Sequence, residues 1–542
     1  MSVIAKEGRK FTLSQKLSRM ALRLRDPEWR RYGGLLLAGK MLGIGLVLMI
    51  MAVVSGAFFT HVYAQTVAAE VKAADVVNPV NTAWTLVAAF LVFGMQVGFT
   101  MLEAGFCRSR ETVNVLVECV VDTCLCGILF YAVGFAFMFA HGNGFIGYHW
   151  FFLQNAPATY ETTGVAFLAV WIFQFAFADT CSTITSGAMI GRTGFVGDLL
   201  YSICVTGFIY PVIGHWAWGP DGWLANMGSA GNAFPLLGMG FHDFAGSTVV
   251  HTIGGFIALA GAIVLGPRLG RKFKRDGGGP MLPHDLTIAV SGGLILWFGW
   301  YGFNPGSTLS AMDFVGIGRV ATNTTLAACA AGLTSIIYGY FMTKKWDASY
   351  TTNGFLAGLV AITCPCYWVS PTGAVLLGGI AGVLVILGVD LLEWLRIDDP
   401  IGAVPVHGFC GIWGTLSLGL FACGKYGATG PISPDNSAPL VGLFYGGGLT
   451  VLKAQIIGSA CITLATFAVA MVVMLAVNAI GMLRLPAEME TYGMDLHEHG
   501  ISAYPEYVIS ALGAPSGMRQ ELPSAAVKAP LTAAKPLSHV AG

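Results

Sequence analysis

The chain has 542 residues, of which 55% are hydrophobic and only 11% are charged, and its mean hydropathy is +0.69. No ordinary soluble fold buries that much apolar surface, so the composition excludes a water-soluble enzyme or binding module. The formal net charge is zero, which gives no indication of a nucleic-acid partner. The 72 glycines are typical of membrane helices that approach each other through small residues.

The N-terminal segment combines a basic stretch with an apolar one. Residues 1–32 carry nine Lys or Arg against three acids, and residues 41–59 are apolar apart from glycine and serine. Val62-Tyr63-Ala64 then matches the small-x-small cleavage pattern. Residues 1–64 are therefore interpreted as a signal peptide or, alternatively, as a retained N-terminal membrane anchor. Either interpretation leaves residues 65–81 as an external linker.

Long apolar runs dominate the rest of the chain. A bilayer core needs roughly 20 apolar residues per helix, and these runs do not alternate as membrane strands would. The sequence therefore predicts an all-α membrane protein with eleven transmembrane helices. The predicted spans are 82–105, 113–140, 164–190, 195–218, 244–266, 286–308, 320–343, 353–370, 373–393, 404–423 and 442–483.

The predicted transmembrane domain, 82–483, is followed by two segments of different character. Residues 484–507 are interpreted as a cytoplasmic C-terminal region, with a solvated tail as the alternative. The tail 508–542 is rich in Pro and Ala and lacks an apolar period, so we expect it to be disordered.

Basic residues indicate the orientation, because short cytoplasmic loops collect Lys and Arg. They follow nearly every second span, whereas loops 141–163 and 219–242 contain none. We therefore expect a multi-pass protein of the inner (plasma) membrane, with the first span starting outside and the C-terminus in the cytoplasm. The residues that carry this pattern are Arg108, Arg110, Arg192, Arg268, Arg271, Lys272, Lys274, Arg275, Lys344, Lys345, Arg396 and Arg484.

The 12 cysteines follow neither a disulfide nor a zinc pattern. Most lie inside apolar runs, and Cys364 and Cys366 flank a proline without a second pair at metal-ligand spacing. They are interpreted as small core residues. The sequence predicts no metal, no other cofactor and no enzymatic activity.

Five segments, in this order along the chain, resemble the Amt branch of the Amt/Rh ammonium transporter family. Together they span most of residues 82–504. They are Asp243-Phe-Ala-Gly-Ser-Thr-Val-Val-His251, Trp297-Phe-Gly-Trp-Tyr-Gly-Phe-Asn-Pro-Gly-Ser307, Asn353-Gly-Phe-Leu-Ala-Gly-Leu-Val-Ala-Ile-Thr363, Asp398-Asp-Pro-Ile-Gly-Ala-Val-Pro-Val-His407-Gly and Gly493-Met-Asp-Leu-His-Glu-His-Gly500.

The resemblance implies an eleven-span fold in which spans one to five and six to ten are inverted repeats, assembled as a homotrimer in membrane lipid. The cargo it implies is ammonium or ammonia, with methylammonium also open. It further implies a regulatory role for residues 484–507 and, in many bacterial relatives, a PII-type signalling protein on the cytoplasmic face; the sequence does not decide on that partner.

Two histidines carry the implied chemistry. A narrow apolar pore rejects potassium if ammonium gives up its proton at the entrance, because a bare cation in such surroundings costs tens of kcal/mol by Born estimates. Imidazole titrates nearest neutral pH and can carry that proton. The resemblance places His251 and His407 face to face in the pore. The general alternative for a buried histidine is a hydrogen-bonded contact between helices.

Aromatic and polar residues complete the implied site. Phe177, Trp218 and Ser307 resemble the external ammonium-recruitment site, since aromatic faces attract such cations by about 0.5–2 kcal/mol each. Asp243 belongs to that site and is also a candidate helix N-cap. Phe177 and Phe303 resemble the stacked gate, and Trp300 resembles a pore-lining indole.

The pattern departs from the family in several places. The usual Gly-Ala-x-Ala-Glu-Arg is Gly187-Ala-Met-Ile-Gly-Arg192 here, and Gly-Lys-Asn becomes Ser109-Arg110-Glu111-Thr112. Three further acids, Glu103, Asp122 and Asp179, fall within or at the ends of spans and have no assigned role. Asp398 and Asp399 are predicted to be caps or contacts to the C-terminal segment rather than pore residues.

Two other functions stay open at this point. One is an ammonium sensor that signals through its C-terminal region with little transport. The other is a membrane redox enzyme with haem, although each candidate span carries only one deeply placed histidine. The sequence does not decide between electrogenic and neutral transport.

Overall fold

The computed structural model describes residues 73–160, 163–228, 239–427 and 439–504. Within these ranges ten helices are long and apolar enough to cross a membrane, and the 16-residue helix Ala348–Thr363 takes the place of the eighth predicted span. The architecture is an all-α membrane fold. We number the helices α1 (Ala74–Phe106), α2 (Ser109–Phe139), α3 (Phe167–Gly187), α4 (Phe195–Trp218), α5 (Ser247–Leu265), α6 (Leu286–Thr308), α7 (Phe314–Thr343), α8 (Ala348–Thr363), α9 (Pro371–Leu395), α10 (Val404–Phe421) and α11 (Thr450–Ala479).

The three largest differences from the predicted helix boundaries are in α1, α8 and α11. The first helix begins near residue 74 rather than 82, and it contains Pro79. α8 ends at Thr363 instead of 370, since Pro365 has no backbone N–H with which to continue the helical hydrogen bonds. α11 begins at Thr450 instead of 442, after the glycine run 446–448. The predicted signal peptide or anchor and the predicted tail 508–542 lie outside the described residues.

The cysteines are mostly packed inside the protein, as predicted, but Cys124 and Cys329 are exposed. Cys124 lies on α2 between Val120 and Ile128, which are 60% and 67% exposed. Residues four apart share one helix face, so this stripe of α2 points outward. The position of a cysteine within an apolar run does not show whether it lies on the outward or the inward face of its helix.

The two halves of the chain meet where α1 packs along α6. A Cβ on Gly98 of α1 would lie 2.9 Å from the carbonyl oxygen of Gly292 on α6, so only glycine permits this approach. The most buried helices are α3, α5 and α10. In each, 78%, 78% and 72% respectively of the most apolar 18-residue stretch is buried inside the protein. They carry Phe177, His251 and His407 of the predicted site, and α6 carries Trp300, Phe303 and Ser307.

The predicted cytoplasmic side is held together by paired charges; we call the surface around Arg108, Arg192, Arg268 and Arg484 the basic face. Arg268 binds Asp398 through Nε at 2.8 Å and Nη2 at 2.9 Å. Burial tends to raise the pKa of the Asp398 carboxyl, but the hydrogen bonds and charge of Arg268 outweigh it and hold that pKa below its usual value.

The C-terminal segment packs on the basic face as two short helices, α12 (Ala487–Tyr492) and the π-helical α13 (Asp495–His499). Glu490 accepts from the Arg484 guanidinium at 2.9 Å and from the backbone of Leu269. Asp495 accepts from the backbone N–H of Asn114 at the start of α2 at 3.0 Å. Within one subunit, therefore, this segment ties the ends of α2, α5 and α11 together.

Candidate functional site

The start of α5 is built around Asp243. Its carboxylate accepts the backbone N–H groups of residues 246–249 at 2.8–3.0 Å, which satisfies donors that have no partner within the helix. Gly246 has φ +115°, and a Cβ there would lie 2.7 Å from Val250, so glycine is required. The first turn, Ser247–Thr252, is π-helical and carries His251.

The start of α10 repeats this arrangement. Asp399 accepts the N–H groups of Gly402, Ala403 and Val404 at 2.8–3.1 Å. Gly402 has φ +81°, and the π-helical turn Val404–Phe409 carries His407. In both halves the aspartate precedes the histidine by eight residues and the glycine precedes it by five. The predicted cap role of Asp399 is confirmed, and this shared spacing is the signal that sequence inspection could have used.

The two histidines lie face to face. The Nδ1 atoms of His251 and His407 are 3.2 Å apart, and the rings lie 5.2 Å apart at 28°. His251 is fully buried and His407 is 6% exposed. Two Nδ1 atoms in hydrogen-bond contact require that one carries a proton and the other accepts it.

Aromatic rings on both sides of the histidine pair form a continuous series of neighbouring rings with it. We call this series the ring column: Trp218, Phe177, Phe303, His251, His407 and Phe99. Successive ring centroids along it are 6.1, 4.0, 5.4, 5.2 and 6.4 Å apart. Phe177 and Phe303 are stacked at 25°. The rings come from α4, α3, α6, α5, α10 and α1, so the column crosses the centre of the bundle.

Trp300 flanks the column. Its indole stacks on His251 at 5.2 Å and 20°, and its Nε1 donates to Thr363 Oγ1 at 2.9 Å. The hydroxyl therefore fixes the plane of the indole against the imidazole. Thr363 ends α8, and neither it nor Phe99 was predicted as a site residue.

Three predicted residues lie near the Trp218 end of the ring column: Trp218 itself, Asp243 and Ser307. The indole Nε1 of Trp218 donates to the carbonyl oxygen of Asp243 at 2.8 Å, and Ser307 Oγ donates to the carbonyl oxygen of Phe303 at 2.7 Å. All three side chains are at most 7% exposed. The Asp243 carboxylate is occupied by backbone N–H groups, so this residue shapes the site through the backbone that it holds.

Two of the departures from the family pattern, at Gly191 and at Glu111, lie next to each other in the structure. Gly191 has φ +84°, and a Cβ there would lie 2.8 Å from the carboxylate of Glu111. Glu111 is 1% exposed and binds the guanidinium of Arg108. The carboxylate of Glu111 thus lies next to the position from which the missing glutamate would extend.

Comparisons with known proteins agree with this architecture. A profile of the Ammonium Transporter Family matches residues 83–504. This chain belongs to that family. It is 42% identical over 448 residues to "Ammonium transporter Amt2" of Archaeoglobus fulgidus, covering 82% of this chain and 92% of the relative. It is 39% identical to "Putative ammonium transporter sll1017" of Synechocystis, covering 79% of this chain and 90% of the relative.

Solved structures of the family share the fold. The structure named "Sensor Amt Protein" superposes with a TM-score of 0.69 at 35% identity, covering 78% of this chain and 99% of that one. Mep2 of Saccharomyces cerevisiae superposes with a TM-score of 0.66 at 28% identity, covering 76% and 88%. Membership of this family establishes a multi-pass membrane protein of a transporter family, and the relatives are not enzymes.

Proposed function

We propose that this protein is an ammonium transporter that captures ammonium at Trp218, Phe177 and Ser307, removes a proton and conducts ammonia past His251 and His407. The observation that carries the proposal is the 3.2 Å contact between two imidazole nitrogens inside a continuous column of rings. The relatives named as ammonium transporters support the choice of cargo.

Selection against potassium follows from the apolar character of the column. Aromatic faces attract a cation by about 0.5–2 kcal/mol each, which suffices for weak capture. The Ser307 hydroxyl donates to its own helix, so its lone pairs face outward as acceptors for ammonium N–H groups. Beyond this point an intact cation meets the stacked rings of Phe177 and Phe303, where its desolvation penalty is large. Neutral ammonia avoids that penalty and potassium cannot.

The histidine pair supplies the polar contacts inside the column. One Nδ1 donates to the other, and among the described residues Nε2 of His251 has no hydrogen-bond partner. A buried nitrogen without a partner is available to a passing ammonia molecule. The pair can also hold or hand on the proton, because both tautomers of imidazole keep the shared contact.

The assembly and partners proposed with this function come from the family. We propose a homotrimer in the inner membrane with the basic face in the cytoplasm, and a PII-type protein as a candidate partner on that face. Large apolar residues exposed on α7 and α11 suit contact with lipid or another subunit: Leu333, Ile337, Phe341, Leu464 and Val472.

A second candidate function is ammonium sensing with little transport. It is favoured by the likeness to the structure named "Sensor Amt Protein" and by the contacts between α13 and the start of α2. In a sensor, binding at the ring column would shift these contacts without net flux.

Reconstitution in liposomes separates the two functions. Ammonium steps are applied while current and internal pH are recorded, with Trp218→Leu as a variant of the capture site and empty liposomes as the control. We expect an ammonium-dependent current or internal pH change that is weaker in Trp218→Leu. Saturable ammonium binding without current or pH change would reject transport and favour the sensor.

A further inference from the structure

Five carboxyl side chains lie buried among α1–α4, away from the ring column. None of them is more than 4% exposed. They come from four helices: Glu103 of α1, Glu118 and Asp122 of α2, Asp179 of α3 and Asp198 of α4. Asp179 follows Phe177 by two residues, which on a helix turns it about 200° from the face that joins the column.

The polar partners of these carboxyls are neutral. Glu118 accepts from Asn114 Nδ2 at 2.7 Å, and Asp179 accepts from Thr123 Oγ1 at 3.3 Å. Glu103 accepts from the Ser186 hydroxyl, and Asp198 accepts from the Tyr201 hydroxyl. In the described part of the chain no ion pair joins any of the five to a Lys or Arg.

Several oxygens of the cluster have no partner among the described residues. They include both oxygens of Asp122, Oδ1 of Asp179 and Oδ2 of Asp198. The Ser202 hydroxyl, fully buried and likewise without a partner, borders Asp122 beside Asp198. These atoms are the hydrogen-bonding groups that a ligand of the cluster would contact.

Charge identifies that ligand. An unpaired carboxylate at membrane depth costs several kcal/mol, and neighbouring carboxyls cannot all ionise without a counter-charge. The described residues contain no cluster with metal-ligand geometry. A proton on a carboxyl oxygen removes the charge and also turns that oxygen into a donor for its neighbour.

The cluster reaches the basic face through Asn114. Its Nδ2 donates to Glu118, and its Oδ1 lies 2.9 Å from Nε2 of His499 in α13. The cluster therefore touches the C-terminal segment through one amide side chain. The titratable and charged groups on the elements packed around Glu118 and Asp122 include Glu103, Arg108, Arg110, Glu111, Cys119, Cys126, Asp179, Cys181, Asp198, Tyr201, Asp495, Glu498 and His499.

We propose that Glu118, Asp122, Asp179 and Asp198 form a proton-binding site separate from the histidine pair, loaded from the basic face past Asn114. Glu118 and Asp122 lie one turn apart on α2, and Asp198 borders Asp122. A proton bound at one of these carboxyls is shared with its neighbour, and the oxygen that gives it up regains its negative charge or takes the next proton. The site stands independently of whether the ring column transports or only senses ammonium.

Infrared spectroscopy of the full-length protein in liposomes tests this proposal. Protonated carboxyls absorb in the carbonyl region, at a frequency separate from that of carboxylates. Their band shifts in D2O if the proton exchanges. We expect an exchangeable carboxylic-acid band at neutral pH that loses intensity in Asp122→Asn and in Glu118→Gln. Asp347→Asn is the matched control, because that carboxylate caps α8 outside the cluster; the band should be unchanged.

Three outcomes would overturn the proposal. The first is the absence of the carboxylic-acid band in the wild type, and the second is an unchanged band in both cluster variants. The third is loss of the band at constant pH when potassium or sodium is added, which would indicate a cation site instead. The wild-type measurement decides the first and third outcomes even if a variant fails to fold. Elution of each variant at the wild-type size on gel filtration establishes that its spectrum is comparable.

Discussion

The halves α1–α5 and α6–α10 share the helix start that carries the histidine, but they differ in their buried carboxyls. Both bring a histidine to the centre on a π-helical turn that starts with a capping aspartate and a glycine of positive φ. Buried carboxyls within the membrane helices, however, come from α1–α4 alone. Helices α6, α7, α8 and α10 contain no Asp or Glu, and those of α9, Asp390 and Glu393, lie in its last two turns.

This difference separates two tasks. The repeated helix start delivers one histidine from each half to a shared contact, so the pair depends on symmetry. The carboxyls have no counterpart in the second half and lie outside the ring column, so we assign them a task separate from that of the histidine pair.

The largest expected effect comes from removing the cap of the first half. Asp243→Ala leaves four buried N–H groups without their acceptor and releases the backbone that holds Trp218. We expect a loss of about 2–3 kcal/mol in stability, since buried unpaired groups cost about 1–3 kcal/mol each and some will find water. Ammonium flux in liposomes should fall by about tenfold or more, because about 1.4 kcal/mol of lost binding already costs tenfold.

Asp399→Ala is the matched variant in the second half. It also removes a cap but lies on the basic face beside Asp398, away from Trp218 and Ser307. We expect a similar loss in melting temperature with a smaller loss of flux. Equal loss of flux in both variants would contradict the assignment of the capture site to the end of the ring column next to Asp243 and Trp218.

A smaller effect is expected from the two glycines. Gly246→Ala and Gly402→Ala each place a Cβ at positive φ, which costs about 1–2 kcal/mol. The new methyl at 246 also lies 3.1 Å from the Trp218 ring, whereas the one at 402 meets Asn353. Thermal unfolding should show comparable destabilisation, with an increased KM for ammonium only in Gly246→Ala; an increased KM in Gly402→Ala alone would reverse the comparison.

The smallest effect on ammonium flux is expected at the residue before each cap, which is His242 in the first half and Asp398 in the second. Asp398→Asn leaves the buried guanidinium of Arg268 without its counter-charge, so we expect about 3 kcal/mol less stability at neutral pH. The pKa of Asp398 is lower in the folded state than in the unfolded one, so its contribution is present at neutral pH and is lost as the pH falls below about 4.

Thermal unfolding measured from neutral to acid pH checks this. The melting temperature of the wild type should fall more steeply at low pH than that of Asp398→Asn, and the two curves should converge. Parallel curves would show that the Arg268–Asp398 pair does not contribute through its charge.

The sequence predicted the all-α membrane fold and named the candidate site residues, because both rest on strong local signals. Apolar runs of bilayer length identify spans, and the segments ending in His251 and His407 carry the family resemblance. The ends of α1, α8 and α11 depend on proline and glycine chemistry within the runs and were misplaced. Phe99, Thr363 and the contact of Glu111 with Gly191 depend on which helices pack together, which no local pattern contains. The repeated Asp-x-x-Gly-x-x-x-x-His spacing was present in the sequence and went unused.

The most direct test of the central proposal replaces both histidines. Wild type and the double variant His251→Ala, His407→Ala are reconstituted at equal density, and ammonium and potassium fluxes are measured in the same liposomes. The account predicts ammonium flux without potassium flux in the wild type, and loss of ammonium flux or of its selectivity over potassium in the double variant. Selective ammonium flux at the wild-type rate in the double variant would contradict the assignment of proton handling to the pair.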